Sequence, residues 1–133
     1  MTPYKSEIPI RFAHCDPAGI VFYPRYIEFF NNLVEDWCLE NDIPYAEVRG
    51  GRGMGLPTVH LEVDFLAPSS MGDVLSAELT LHAAGVSSLS IDIVLRGEDG
   101  ADRVRGNLVL AMMDAGTRRA VPIPEDVRAK LGV

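Results

Sequence analysis

An aspartate fixed in a tight turn ahead of a helix can act on a carbonyl. The run His14-Cys15-Asp16-Pro17-Ala18-Gly19-Ile20-Val21-Phe22-Tyr23-Pro24-Arg25-Tyr26 has the residues to fix one. Asp16 precedes Pro17, which pushes its backbone toward an extended conformation and keeps it out of the following helix. Gly19 lets the chain reverse, and Pro24 suits a first helical position, where a missing N–H costs nothing. The carboxylate would then lie beside the free N–H groups and positive dipole end of a helix. That setting can hold a carbonyl while negative charge develops on its oxygen. The competing reading of Asp16 is structural, an Asx-type turn or helix cap, a common use of Asp beside Gly and Pro.

Other residues invite chemistry less strongly. His14 and Cys15 suggest a Cys–His nucleophile, but neighbours on an extended chain point to opposite faces and pair poorly. His60, Glu62 and Asp64 alternate with Leu61, Val63 and Phe65. They could share a metal ion, but the alternation favours a strand with one wet and one buried face, and no second cluster supplies the missing ligands. The run Gly50-Gly51-Arg52-Gly53-Met54-Gly55 lacks the Lys-Ser/Thr ending of a phosphate loop and reads as a mobile loop. Arg118 and Arg119 are either solvated or a fork for phosphate. Cys38 falls in a helical stripe and reads as core.

These residues need elements to carry them. Residues 7–13 alternate and read as a strand running into the Asp16 turn. From Pro24 to about Glu40 the apolar stripe Tyr26, Phe30, Leu33 and Trp37, widened by Ile27, Phe29, Val34 and Cys38, leaves a narrow polar face, so the helix should be buried on most sides. Residues 41–55 read as loop. Strands follow at about 57–67, 74–83, 88–96 and 103–113, separated by turn signals at Pro68-Ser69-Ser70, Ala84-Gly85 and Glu98-Asp99-Gly100. Pro124-Glu125-Asp126-Val127 starts a short helix or turn. One long helix followed by antiparallel strands is an α+β pattern, and its exposed sheet edges favour assembly.

The 133 residues suit a single domain, with 47% hydrophobic and 23% charged content typical of a globular protein. The net charge of −7 argues against a nucleic-acid partner, without excluding an anionic ligand held by local arginines. No apolar run approaches a membrane span, no signal-peptide core is visible at the start, and two cysteines form no disulfide framework. A reduced cytoplasmic setting is the expectation.

Asp16-Pro17-Ala18-Gly19-Ile20-Val21-Phe22-Tyr23-Pro24, followed by an aromatic-rich helix, resembles the 4-hydroxybenzoyl-CoA thioesterase family of hotdog-fold acyl-CoA thioesterases. The similarity continues through Gly55-Leu56-Pro57-Thr58-Val59, Val63-Asp64-Phe65-Leu66-Ala67-Pro68 and Gly72-Asp73-Val74-Leu75 to Arg119-Ala120-Val121-Pro122. It therefore covers nearly the whole chain, and implies that residues 1–133 form one hotdog domain. The resemblance implies an antiparallel sheet of about five strands wrapped around one long central helix. It also implies a homodimer with a continuous sheet, or a homotetramer.

The implied reaction is hydrolysis of an acyl-CoA to free acid and CoA. Asp16 would be nucleophile or general base, and the Tyr23 backbone N–H the oxyanion donor. Gly19, Ile20, Val21, Phe22, Thr58 and His60 would border the substrate. Ser87, Ser88 and Arg119 would lie along CoA, with Val86, Ser87 and Ser88 standing where relatives carry basic residues. No metal or cofactor is implied, CoA being part of the substrate. A benzoyl or hydroxybenzoyl thioester is the first expectation for the acyl group, and a short- to medium-chain aliphatic one the second. Two further readings are a thioesterase acting on acyl carrier protein and a non-catalytic acyl-CoA-binding module. A dehydratase would want a helical His beside Glu28 or Glu35, and there is none.

Overall fold

The computed structural model describes residues 2–133. Strands β1 (Tyr4–Pro9), β3 (Thr58–Phe65), β4 (Val74–Ala84), β5 (Ser88–Arg96) and β6 (Asp102–Ala111) form one antiparallel sheet in the order β1-β4-β5-β6-β3. Alternation builds its inner face. Leu75, Ala77, Leu79 and Leu81 of β4, Leu89, Ile91, Ile93 and Leu95 of β5, and Val104, Leu108 and Leu110 of β6 are buried, while the intervening residues reach the other face.

Helix α1 (Pro24–Glu40) covers that inner face with Tyr26, Phe29, Phe30, Leu33, Val34, Trp37 and Cys38. It begins at Pro24, as the spacing predicts. The outer face is charged and internally paired. Arg96 meets Glu78 and Asp102 at 3.0 Å each, and Arg105 meets Asp102 at 2.8 Å.

Several boundaries differ from the sequence reading. The first strand ends at Pro9, whose missing N–H cannot extend the ladder. A 3-10 turn follows at Phe12–His14, where the Arg11 N–H donates to His14 Nδ1 at 2.9 Å. The expected loop at 41–55 contains α2 (Tyr45–Gly50) and a short strand β2 (Met54–Gly55). β2 pairs with β7 (Met113–Asp114), which is split from β6 because the Met112 N–H turns to Ser87 O at 2.7 Å. β3 has no buried face: it forms the sheet edge, and Val59, Leu61 and Phe65 stay exposed.

A third helix, α3 (Glu125–Leu131), buries Val127 and Leu131. It fastens the far loops: Asp126 to Arg52 through Nη1 and Nη2 of the guanidinium, Arg128 to the carbonyls of Gly85 and Val86, and Lys130 to Asp42 O. Among the described residues no helix is long and apolar enough to cross a membrane.

Candidate active site

The turn that carries Asp16 is tied down on every side. The Asp16 N–H donates to Ile20 O at 3.0 Å, and the Gly19 N–H donates to Asp16 O at 2.9 Å. Gly19 makes that reversal with φ of +82°, the left-handed region that glycine enters freely. Phe22 N–H bonds His14 O, and Val21 N–H bonds Ser69 O, each at 2.9 Å. Val21 is buried in the core and does not face solvent, whereas Gly19, Ile20, Phe22 and Tyr23 are exposed.

Asp16 itself does two things. Oδ1 accepts the Ala18 N–H at 2.8 Å, which is the Asx turn of the structural reading. Among the described residues nothing bonds Oδ2. The half-buried carboxylate borders a concavity of about 400 Å³ shared with Phe12, Cys15, Pro17, Gly19 and Met71. The turn thus orients the acid through one oxygen and leaves the other unbonded among the described residues.

A few residues on, nothing among the described residues accepts from the Tyr23 N–H. Pro24 has no N–H and Arg25 N–H is bonded to Phe22 O at 2.9 Å, so Tyr23 is a single free donor at the mouth of α1. The Tyr23 ring packs edge-on against Phe22 and Phe65, at centroid distances of 5.5 and 6.2 Å.

His14 and Cys15 do not pair. His14 Nδ1 is taken by the Arg11 N–H, and its ring stands edge-on to Phe29 at 4.9 Å. Its pKa is lowered by burial and then by the positive charges of Arg25 and Arg11, so the ring is neutral at neutral pH. Cys15 Sγ lies 3.6 Å from Arg11 O. Burial pushes the Cys38 thiol up to about 12, consistent with an inert core residue. His60 Nε2 lies 3.2 Å from Glu62 Oε1, and no third ligand joins them to make a metal-binding group among the described residues.

The remaining predicted residues lie at the other end of the sheet. The Asp16 turn sits where β4 begins, through Ile10 N–H to Asp73 O at 2.8 Å and the Ile20–Ser70 bridge. Ser88 pairs with Ala111, and Thr58 with Leu110, where β4 ends. Ser87 and Arg119 join that end through Met112 and Asp114. The eleven residues of β4 separate the two groups by about 33 Å at about 3.3 Å per residue.

From Ile27 near the start of α1 toward this end runs a cavity of about 720 Å³ between α1, α2, α3 and the sheet. Its depth is apolar, with Val34, Leu89, Leu108, Leu110, Met112 and Val127 in the lining, and Asn31, Arg49 and Thr58 stand among its exposed lining residues. Sequence reasoning missed this cavity because α2, which helps close it, lies in a segment read as loop; α3 agrees with the short helix or turn expected from Pro124.

This sheet-and-helix arrangement is consistent with the hotdog fold, and residues 10–131 match the model of the thioesterase-like superfamily. The chain belongs to that family and is a thioester hydrolase. It is 30% identical to the 4-hydroxybenzoyl-CoA thioesterase of Pseudomonas sp. (strain CBS-3), over 88% of this chain and 89% of that one. It is 23% identical to the 1,4-dihydroxy-2-naphthoyl-CoA hydrolase of Synechocystis sp., over 94% and 91%. In three dimensions it is similar to a Staphylococcus aureus protein solved in complex with CoA, with a TM-score of 0.92, 18% identity and coverage of 98% and 82%.

Proposed function

We propose that the chain hydrolyses acyl-CoA thioesters at the Asp16–Tyr23 turn. The observation that carries this is that one hydrogen-bonded turn bears both an unclaimed carboxylate oxygen, at Asp16, and an unclaimed backbone N–H, at Tyr23. The thioester oxygen accepts from the Tyr23 N–H, which stabilises the charge that develops on it. Asp16 Oδ2 either adds to the carbonyl carbon or takes a proton from a water that adds. The carbon–sulfur bond then breaks, and the CoA thiolate leaves and is protonated. On the first route water hydrolyses the resulting anhydride and regenerates the carboxylate. No metal or cofactor enters the steps.

We further propose that two copies complete each site. In one chain the turn borders only its own small concavity, while the large apolar cavity extends from Ile27 toward the end of the sheet where Thr58, Ser88 and Arg119 lie. Antiparallel pairing of the exposed β3 edges brings the Phe65 end of one copy, with its Asp16 turn, to the Thr58 end of the other. It also covers the apolar side chains of β3 and continues the sheet across the dimer. CoA then runs along the boundary toward Ser87, Ser88 and Arg119, while Thr58 and His60 flank the acyl group.

An aromatic acyl group, benzoyl or hydroxybenzoyl, is the first reading of the substrate, supported by the turn motif and by the names of the relatives. A short- to medium-chain aliphatic acyl group is the second, favoured by a cavity that is larger than one ring and apolar in its depth.

The deciding test is free-thiol release from benzoyl-, hydroxybenzoyl- and aliphatic CoA esters, with Asp16→Asn alongside. Loss of a positioned general base lowers the rate by roughly 10²–10⁴. A folded Asp16→Asn protein that keeps wild-type turnover would sink the assignment.

A further inference from the structure

We propose that Arg103 is a positioning residue for thioester hydrolysis: its guanidinium clamps the turn at 68–73, and that turn holds Val21, two residues before the Tyr23 N–H that would bind the oxyanion. The proposal rests on the reading that the Asp16–Tyr23 turn is where the thioester reacts.

Ser69 is the buried polar residue of the described chain, fully shielded from solvent. A buried hydroxyl needs a partner, and Arg103 supplies it. Its Nη1 donates to Ser69 Oγ at 3.1 Å and to Pro68 O at 3.0 Å, and stands 3.4 Å from Asp73 Oδ2. Asp73 Oδ2 also accepts the Ser70 N–H at 2.9 Å. The Arg103 backbone takes part as well, since its carbonyl accepts the N–H groups of Leu66 and Ala67 at 2.9 and 3.2 Å. One residue of β6 thus grips the segment from Leu66 to Asp73 by main chain and side chain together. Charge-assisted bonds of this kind are the stronger ones, and the Arg103 side chain is only 18% exposed.

The clamped turn in turn holds the reacting one. Ser69 O accepts the Val21 N–H at 2.9 Å, and Ser70 bridges to Ile20. Val21 lies two residues before Tyr23. A shift of the 68–73 turn would therefore move the free Tyr23 N–H and tilt the Asp16 carboxylate. Misplacement of reacting groups by about 1 Å can cost roughly a hundredfold in rate.

Gly97 makes this testable without removing the charge. A Cβ there would stand 2.5 Å from Arg103 Nη2 and 2.7 Å from its Cζ and Nε. Gly97 is not among the residues with positive φ, so alanine strains no backbone. The flexible end of Arg103 must move aside, away from the acceptors it now bridges.

The experiment measures kcat, KM and melting temperature for wild type, Gly97→Ala, Arg103→Lys, Arg103→Met and Asp16→Asn on the best CoA ester. Gly97→Ala and Arg103→Met should lower kcat roughly ten- to hundredfold with little change in KM, below the ~10²–10³ that outright loss of an oxyanion donor costs. Arg103→Lys should recover part of the loss, because a single ammonium reaches fewer of the acceptors. Gly97→Ala should still fold and melt cooperatively, at a somewhat lower temperature because the buried Ser69 hydroxyl loses its partner. If Arg103→Met fails to fold, Gly97→Ala decides alone. An unchanged kcat in folded Gly97→Ala, a change confined to KM, or a loss that merely tracks melting temperature overturns the proposal. Full activity in Asp16→Asn would remove the turn from the reaction. Loss there, with Gly97→Ala unaffected, sinks only the clamp.

Discussion

The ring of Phe30 occupies the space that a side chain on Gly106 would need, so that a Cβ there would stand 2.6 Å from the ring edge. Gly106 lies mid-strand in a cross-sheet row with Leu79, Ile93 and Val63. Helix α1 is therefore seated directly on the backbone of β6. Gly106→Ala should destabilise the fold by about 1–3 kcal/mol, the usual cost of overpacking, because a fully buried ring has nowhere to go. A thermal melt reads this, and an unchanged melting temperature would mean that α1 can slide.

Complementation tests the shared site. Asp16→Asn should abolish turnover, and Ala46→Trp, on α2 at the cavity lining, should block the acyl group. Mixed and reassembled, the two inactive proteins should regain about a quarter of wild-type activity, since half the isologous dimers are mixed and each holds one intact site. No recovery from mixtures shown to exchange subunits would count against the composite site.

Because the proposed oxyanion donor is a backbone group, Tyr23→Phe should leave kcat within about threefold of wild type, far from the ~10²–10³ cost of losing the donor. The ring contacts with Phe22 and Phe65 survive that change, since neither involves the hydroxyl. A hundredfold fall would move the phenol into the chemistry.

The Arg52–Asp126 pair gives a pH signature. Its hydrogen bonds to Arg52 hold the Asp126 carboxyl down at about 2, against an ordinary value near 3.9. A depressed folded-state pKa contributes stability above the unfolded value and loses it as pH falls through the folded one. The melting-temperature gap between wild type and Arg52→Met should therefore be constant above about pH 4 and close between about pH 4 and 2. The gap should be small, since Asp126 is half exposed and surface pairs are weak. A gap that widens on acidification would contradict the assignment.

What could be read without coordinates was whatever sits in local residue types. Pro17, Gly19 and Pro24 constrain their own backbones, so the Asp16 turn and the start of α1 were legible. The alternation in β4 and β5 was equally plain. The exposure of β3 was not, because Leu61, Val63 and Phe65 alternate identically whether they meet a helix or a second copy. Arg103 and Ser69 are 34 residues apart, and no periodicity announces such a contact. α2 was hidden among glycines, although Pro44 before it and Gly51 after it are the ordinary marks of a short helix.

A chain that needs a second copy to complete its proposed site is bound by its own inheritance. In the two-fold assembly proposed here, every substitution appears twice, once in each site. A change in the cavity is always judged beside the partner's unchanged turn. The two sites cannot drift apart toward different thioesters while one gene encodes both halves. Only duplication, as two genes or as two domains in tandem, would let one half specialise while the other kept its chemistry.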